Sequence, residues 1–130
     1  MSELREMFLD ELADIFDAEN QLLKALPKMA EAASDEELQE GFRQHLKETE
    51  AHVDRLKQVF EMLGKPPKGK QCKAMQGLIA EGEELIAQDA GDAALICAAQ
   101  KVEHYEMAVV YANEPVNSAT SKQRRPPGNP

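Results

Sequence analysis

The stretch Phe42-Arg43-Gln44-His45-Leu46-Lys47-Glu48-Thr49-Glu50-Ala51-His52-Val53-Asp54-Arg55-Leu56 decides how the chain is read. It is helical throughout: Leu46, Val53, Leu56 and, just beyond, Phe60 recur at spacings of three, four and seven, which is the mark of a helix with one apolar stripe. Glu48 and His52 flank that stripe. Four residues apart, they stand about 40° from each other around the axis at roughly 100° per residue, so both can aim at one point outside the helix. A carboxylate and an imidazole so aimed can share a metal ion. In water the same pair is an ordinary surface contact worth a few tenths of a kcal/mol, and this helix alone does not choose between the two.

Upstream, Ser34-Asp35-Glu36-Glu37 reads as a capping box, with Ser34 as the cap, Glu37 reaching back, and first-turn acids suited to the positive end of the helix dipole. Downstream the helix runs to Leu63 and is stopped by Gly64, after which Pro66 and Pro67 stand in a basic loop, residues 65–70. A long amphipathic helix precedes it, from about Ser2 to Ala33, and the two form an antiparallel hairpin. Pro27 predicts a kink or a break near residues 25–27, because it lacks a backbone donor and crowds the carbonyl four residues earlier. The apolar seam of this first helix, Leu12, Ile15, Leu22, Leu26 and Met29, requires position 19 to face the core, and Glu19 stands there. A buried carboxylate without a partner takes up a proton or finds a cation; at the edge of the stripe it would instead reach out to water.

Residues 72–88 form a shorter helix with Gly77 and Gly82 inside it, which suits a cover more than a pillar of a bundle. Asp89-Ala90-Gly91-Asp92 breaks the chain again, and Asp92 can cap a last helix to about Ala112. That helix is apolar over a wide arc, which predicts a largely buried element. Glu103 and Glu106 lie three apart within it. Two such acids repel unless one is protonated or both share a cation, and the alternative is that one of them turns to water with Lys101 and His104. Past residue 112 the apolar period fails, and residues 113–130, with four prolines, read as a flexible tail.

The 130 residues suit one helical domain, residues 1–112, followed by that tail. With 24 Asp+Glu against 15 Lys+Arg the net charge is -9 and the pI near 4.8, which argues against nucleic acid or an anionic membrane as partner and favours a cation. No apolar run approaches the roughly 18 residues of a spanning helix, and the first residues lack the order of a signal peptide, so a cytoplasmic location is expected. Cys72 and Cys97 have no partner at zinc spacing and read as reduced, packed residues. No phosphate loop and no hydrolase triad is present.

Glu19, Glu48 with His52, and Glu103 with Glu106 thus come from three helices at similar depth, the ligand set of a carboxylate-bridged two-metal site, in which oxygen-rich ligands with a histidine suit iron or manganese. The segments 17–26, 45–56, 72–78 and 92–107 resemble the bacterial YciE/YciF family of ferritin-like stress proteins, over residues 2 to about 111. The resemblance implies an all-α, ferritin-like bundle of antiparallel long helices with a short covering helix, a homodimer, and a di-iron or di-manganese centre. By position it assigns Glu19, Glu48, His52 and Glu103 as metal ligands, with Glu106 a family acid of less defined role. Where family members continue into a fourth long helix with further acidic ligands, this sequence has a Pro/Arg-rich segment of the kind a frameshift produces, so the metal site is expected to be incomplete. The function this implies is stress-associated oxidation chemistry on O2 or peroxide. Its alternatives are a metal-free dimerising helical scaffold whose acids pair with His45, His52 or Lys101, and a non-functional fragment.

Overall fold

Four helices account for the regular structure in the computed structural model, which describes residues 2–112: α1 (Ser2–Ala32), α2 (Glu36–Met62), α3 (Lys73–Ala87) and α4 (Asp92–Ala112), with no strand among the described residues. The expected tail, 113–130, lies outside them, as does any fourth long helix. α1 runs unbroken through Pro27, an exposed position where the missing donor is cheaply tolerated. The start of α2 also differs from expectation. Asp35, not Ser34, is the N-cap, its Oδ2 accepting the Leu38 N–H at 3.0 Å. Ser34 is otherwise engaged: the N–H groups of Ser34 and Asp35 donate to Oδ1 and Oδ2 of Asp92 at 2.8 and 2.9 Å. Asp92, expected as a cap of its own helix, instead lies in the first turn of α4 and ties it to the α1–α2 turn.

Glycine or a tolerant residue closes two of the helices. Gly64 at φ +70 ends α2 with Lys65 N–H donating back to the Phe60 carbonyl at 3.0 Å. Asp89 at φ +53 does the same for α3, with Ala90 N–H on the Leu85 carbonyl at 3.1 Å; Asp is one of the few side chains that enter this region readily.

α1 is the central element, with α2 on one flank and α3 on another, and α3 in turn carries α4. The connection 63–72 passes along α1, where Lys70 N–H donates to the Ala13 carbonyl and Cys72 N–H to Asp17 Oδ2, at 3.1 and 2.7 Å. Gly69 packs closely there, since a Cβ would come within 3.1 Å of Asp17 Cβ and force a small shift. Two apolar clusters result. Leu12 and Phe16 of α1 meet Val53 and Phe60 of α2, the two rings edge to face with centroids 5.5 Å apart. Further along α1, Leu22, Leu26 and Met29 meet Phe42, Cys72, Met75, Leu95, Ala98 and Val102. α4 is less buried than its composition predicts: Leu95, Ala98 and Val102 form a narrow buried line, while Ile96 and Met107 are exposed.

Candidate metal centre

Between the two apolar clusters lies a polar layer. Glu19 falls between Phe16 and Leu22 on α1, Thr49 between Phe42 and Val53 on α2, and these are the buried polar side chains among the described residues, 6 % and 0 % exposed. Thr49 is satisfied within its own helix, its hydroxyl donating to the His45 carbonyl at 2.9 Å. Glu19 is not. Its Oε2 is buried without a hydrogen-bond partner, an arrangement costly enough that native structures seldom leave it unexplained.

His52 and Glu106 surround that atom. His52 Nδ1 is 4.0 Å from Glu19 Oε2, and one donor atom from each of Glu19, His52 and Glu106 lies within 4.8 Å of the other two. Glu106 Oε1 is also 3.8 Å from His45 Nε2, so the polar layer reads as a row, His52, Glu19, Glu106, His45. Burial, above all, then a proton-mediated contact with Glu106 and the repulsion between the two acids push the Glu19 carboxyl from 4.5 up to about 9. As two carboxylates the acids offer only acceptors; a proton between them, or a cation, supplies what is missing. The group opens on a groove of about 490 Å³ between α1, α2 and α4, walled mainly by Ile15, Ala18, Leu56, Val59, Met107 and Val109.

Of the five residues expected as ligands, Glu19 (buried), Glu106 (half-buried) and His52 (exposed) are brought together, while Glu48 and Glu103, both exposed, lie outside the group. Helical geometry gives the reason. With Thr49 facing α1, His52 stands roughly 60° from it and Glu48 roughly 100°, past the edge of the buried side. On α4, Glu106 follows Val102 by four residues along the buried line, and Glu103 falls a full step off it. The spacing Leu95, Ala98, Val102, Glu106 was therefore a signal in the sequence that favoured Glu106. His45, one turn before Thr49, belongs to the row, and the sequence reading had it only as a partner in the metal-free alternative. Lys101, offered there too, pairs instead with Glu81 at 3.4 Å on the exposed surface. Also unanticipated is a hydrogen-bonded set beside the group, Asp14, Tyr105 and Cys72, taken up below.

Residues 3–112 match the model of a family described as a domain of unknown function, DUF892. The chain belongs to the DUF892 family. This DUF892 chain is 44 % identical over 113 residues to Protein YciF of Escherichia coli (strain K12), an alignment spanning 83 % of the chain and 68 % of that protein. The crystal structure of the E. coli stress protein YciF shares its fold with a TM-score of 0.77 at 38 % identity, covering 95 % of this chain and 83 % of that one. YcfI from Rhodopseudomonas palustris does so with a TM-score of 0.77 at 40 % identity, covering 87 % and 77 %. The DUF892 chain is thus a ferritin-like helical bundle in which α3 is the short cover. No helix among its described residues is long and apolar enough to cross a membrane.

Proposed function

We propose that this is a stress-associated, ferritin-like protein that binds iron or manganese through Glu19, His52 and Glu106. The observation that carries the reading is the buried, partnerless Oε2 of Glu19, facing an imidazole nitrogen and a second carboxylate. Two ligands each about 2.1 Å from an ion stand no more than about 4.2 Å apart, so the Glu19–His52 pair at 4.0 Å already has that span. Two carboxylates and one imidazole form an oxygen-rich set that suits Fe(II) or Mn(II) over thiophilic metals. Glu19 anchors from the dry side, His52 and Glu106 close over it, and His45 orients Glu106 from behind. The dinuclear centre expected from the sequence would draw Glu48 and Glu103 inward as well; the three converging residues serve one ion.

A bound redox metal supplies Lewis-acid and electron-transfer chemistry toward O2 or peroxide. The chain contributes apolar neighbours that keep Glu19 buried and an opening, the groove, through which a small molecule reaches the group. Metal content of purified protein, grown with added iron or manganese, tests this. Wild type should retain metal after gel filtration, and Glu19→Gln and Glu106→Gln should not. Equal metal in all three removes the reading. The metal-free scaffold is favoured by one observation, that His45 and His52 already face acids at 3.8 and 4.0 Å, and it is what remains in that case. The resemblance also supports a cytoplasmic homodimer, which sedimentation velocity checks directly.

A further inference from the structure

A second polar network, apart from the Glu19 group, ties three elements together at Tyr105. Its phenol oxygen is 3.1 Å from Asp14 Oδ2 on α1 and 3.1 Å from Sγ of Cys72, the residue that caps the start of α3. A hydroxyl has one proton to give. Tyr105 donates it to Asp14, so the other contact runs the opposite way, with the Cys72 thiol donating to the phenol oxygen. Cys72 is 1 % exposed and its backbone is held on both sides, N–H to Asp17 and carbonyl to Gln21 Nε2. A filler of this corner would need neither the thiol hydrogen nor the carboxylate. A phenol gives up an electron readily only if its proton leaves at the same time, and Asp14, which accepts the Tyr105 hydroxyl, is in place to receive it. Tyr105 also lines the groove that Glu19, His52 and Glu106 open on.

We propose that Asp14, Tyr105 and Cys72 form a hydrogen-atom relay that quenches organic peroxyl radicals entering the groove between α1, α2 and α4. The apolar walls admit a neutral organic radical, while the net charge of -9 disfavours an anionic one such as superoxide. An electron passes from Tyr105 to the peroxyl radical, and the resulting peroxide anion takes a proton from water to become a hydroperoxide. The phenol proton moves to Asp14 and on to solvent, leaving a neutral phenoxyl. Cys72 then transfers its hydrogen atom: the S–H bond breaks, the O–H bond of Tyr105 re-forms, and the unpaired electron ends on the shielded sulfur. The sum is one peroxyl radical and one thiol converted to one hydroperoxide and one thiyl.

The chain has two tyrosines, Tyr105 and Tyr111, no tryptophan, and a second, exposed cysteine, Cys97, so substitutions made in a Cys97→Ala background, which serves as the wild type below, assign the radicals. Full-length protein, stripped of metal with a chelator, is exposed to alkylperoxyl radicals from an azo initiator, or to a photogenerated outer-sphere oxidant, and followed by freeze-quench electron paramagnetic resonance with spin trapping. Wild type should yield a trapped sulfur radical. Cys72→Ala, or Cys72→Ser if the alanine form fails to fold, should lose it and accumulate a tyrosyl signal instead. Tyr105→Phe should lose both signals and Tyr111→Phe neither, and Asp14→Asn should slow radical formation. The relay is overturned by a folded Tyr105→Phe protein with wild-type sulfur-radical yield, or by Cys72 variants with no tyrosyl signal. Because no metal is present, these outcomes are independent of the metal reading.

Discussion

Replacing Glu19 by glutamine should make the metal-free protein more stable at neutral pH, the opposite of what removing a buried acid from a native ion pair does. In the fold the Glu19 carboxyl is pushed up to about 9, against 4.5 in the unfolded chain. The folded state therefore holds one more proton than the unfolded state between those values, so stability falls as pH rises through this window, is fully present below about 4.5, and has been lost by about 9. The slope for one proton is about 1.4 kcal/mol per pH unit. At pH 7 the penalty accumulated from 4.5 is about 3 kcal/mol, an upper bound since nearby groups relax. Glutamine matches the protonated acid in shape, donates an N–H toward Glu106, and does not titrate, so its stability should be flat over the same range. By chemical denaturation after chelator treatment, Glu19→Gln should gain up to about 3 kcal/mol over wild type at pH 7, on the order of 10 °C in Tm, and only about 0.7 kcal/mol near pH 5. Parallel pH profiles for the two proteins, or a glutamine form less stable at pH 7, would show that Glu19 is ionised in the fold and that the polar layer has been misread.

Other consequences are simpler to check. Metal must displace the proton on Glu19, so apparent affinity for Mn(II), measured by titration calorimetry, should rise with pH toward about 9, approaching tenfold per unit, and the proton released should appear as a dependence on buffer ionisation enthalpy. Asp92→Ala leaves the Ser34 and Asp35 N–H groups without their acceptors and should cost about 1 kcal/mol in urea denaturation, the scale of a lost cap. Met75, 0 % exposed at the contact of α3 with the core, should cost about 3 kcal/mol as Met75→Ala. A double-mutant cycle on Phe16 and Phe60, each replaced by leucine, should show coupling of about 1 kcal/mol from the edge-to-face pair.

Element placement was legible because it rests on local signals: the apolar stripes, Gly64 and the 89–92 break set every helix bound to within two residues or so. Where the reading went astray, a contact from far along the chain decided. Ser34 and Asp35 are adjacent candidates for one cap, and Asp35 takes the role while Asp92, distant in sequence, occupies the N–H of Ser34. Of the residues expected as ligands, Glu19 joins the converging group because it interrupts an apolar seam, and Glu106 because it extends one. Glu48 and Glu103 were chosen by nearness to a stripe, and one step along a helix turns a side chain by roughly 100°, which leaves both outside that group. Cys72 carried no signal, since a thiol on an apolar face reads as core until the fold aims a phenol at it.

On the proposed reading the proton on Glu19 and a metal ion would compete for one place, and that competition would explain why a bundle keeps a carboxylate at a core position. An acid buried for stability alone needs one permanent partner. Glu19 instead faces His52, which must be neutral to bind an ion, and Glu106, which shares its attention with His45. Glu106 has a second neighbour in His45, and His52 is open to solvent, so neither is committed to Glu19 alone. The cost of this arrangement is the pH-dependent loss of stability in the metal-free state. Binding should restore that loss by mass action, because an ion that holds the folded chain and not the unfolded one removes the free energy of the vacant site. A fold built that way would be least stable where it is most ready to take up metal, at the alkaline end of the window, and the stability of the loaded protein should then depend on pH far less than that of the stripped one.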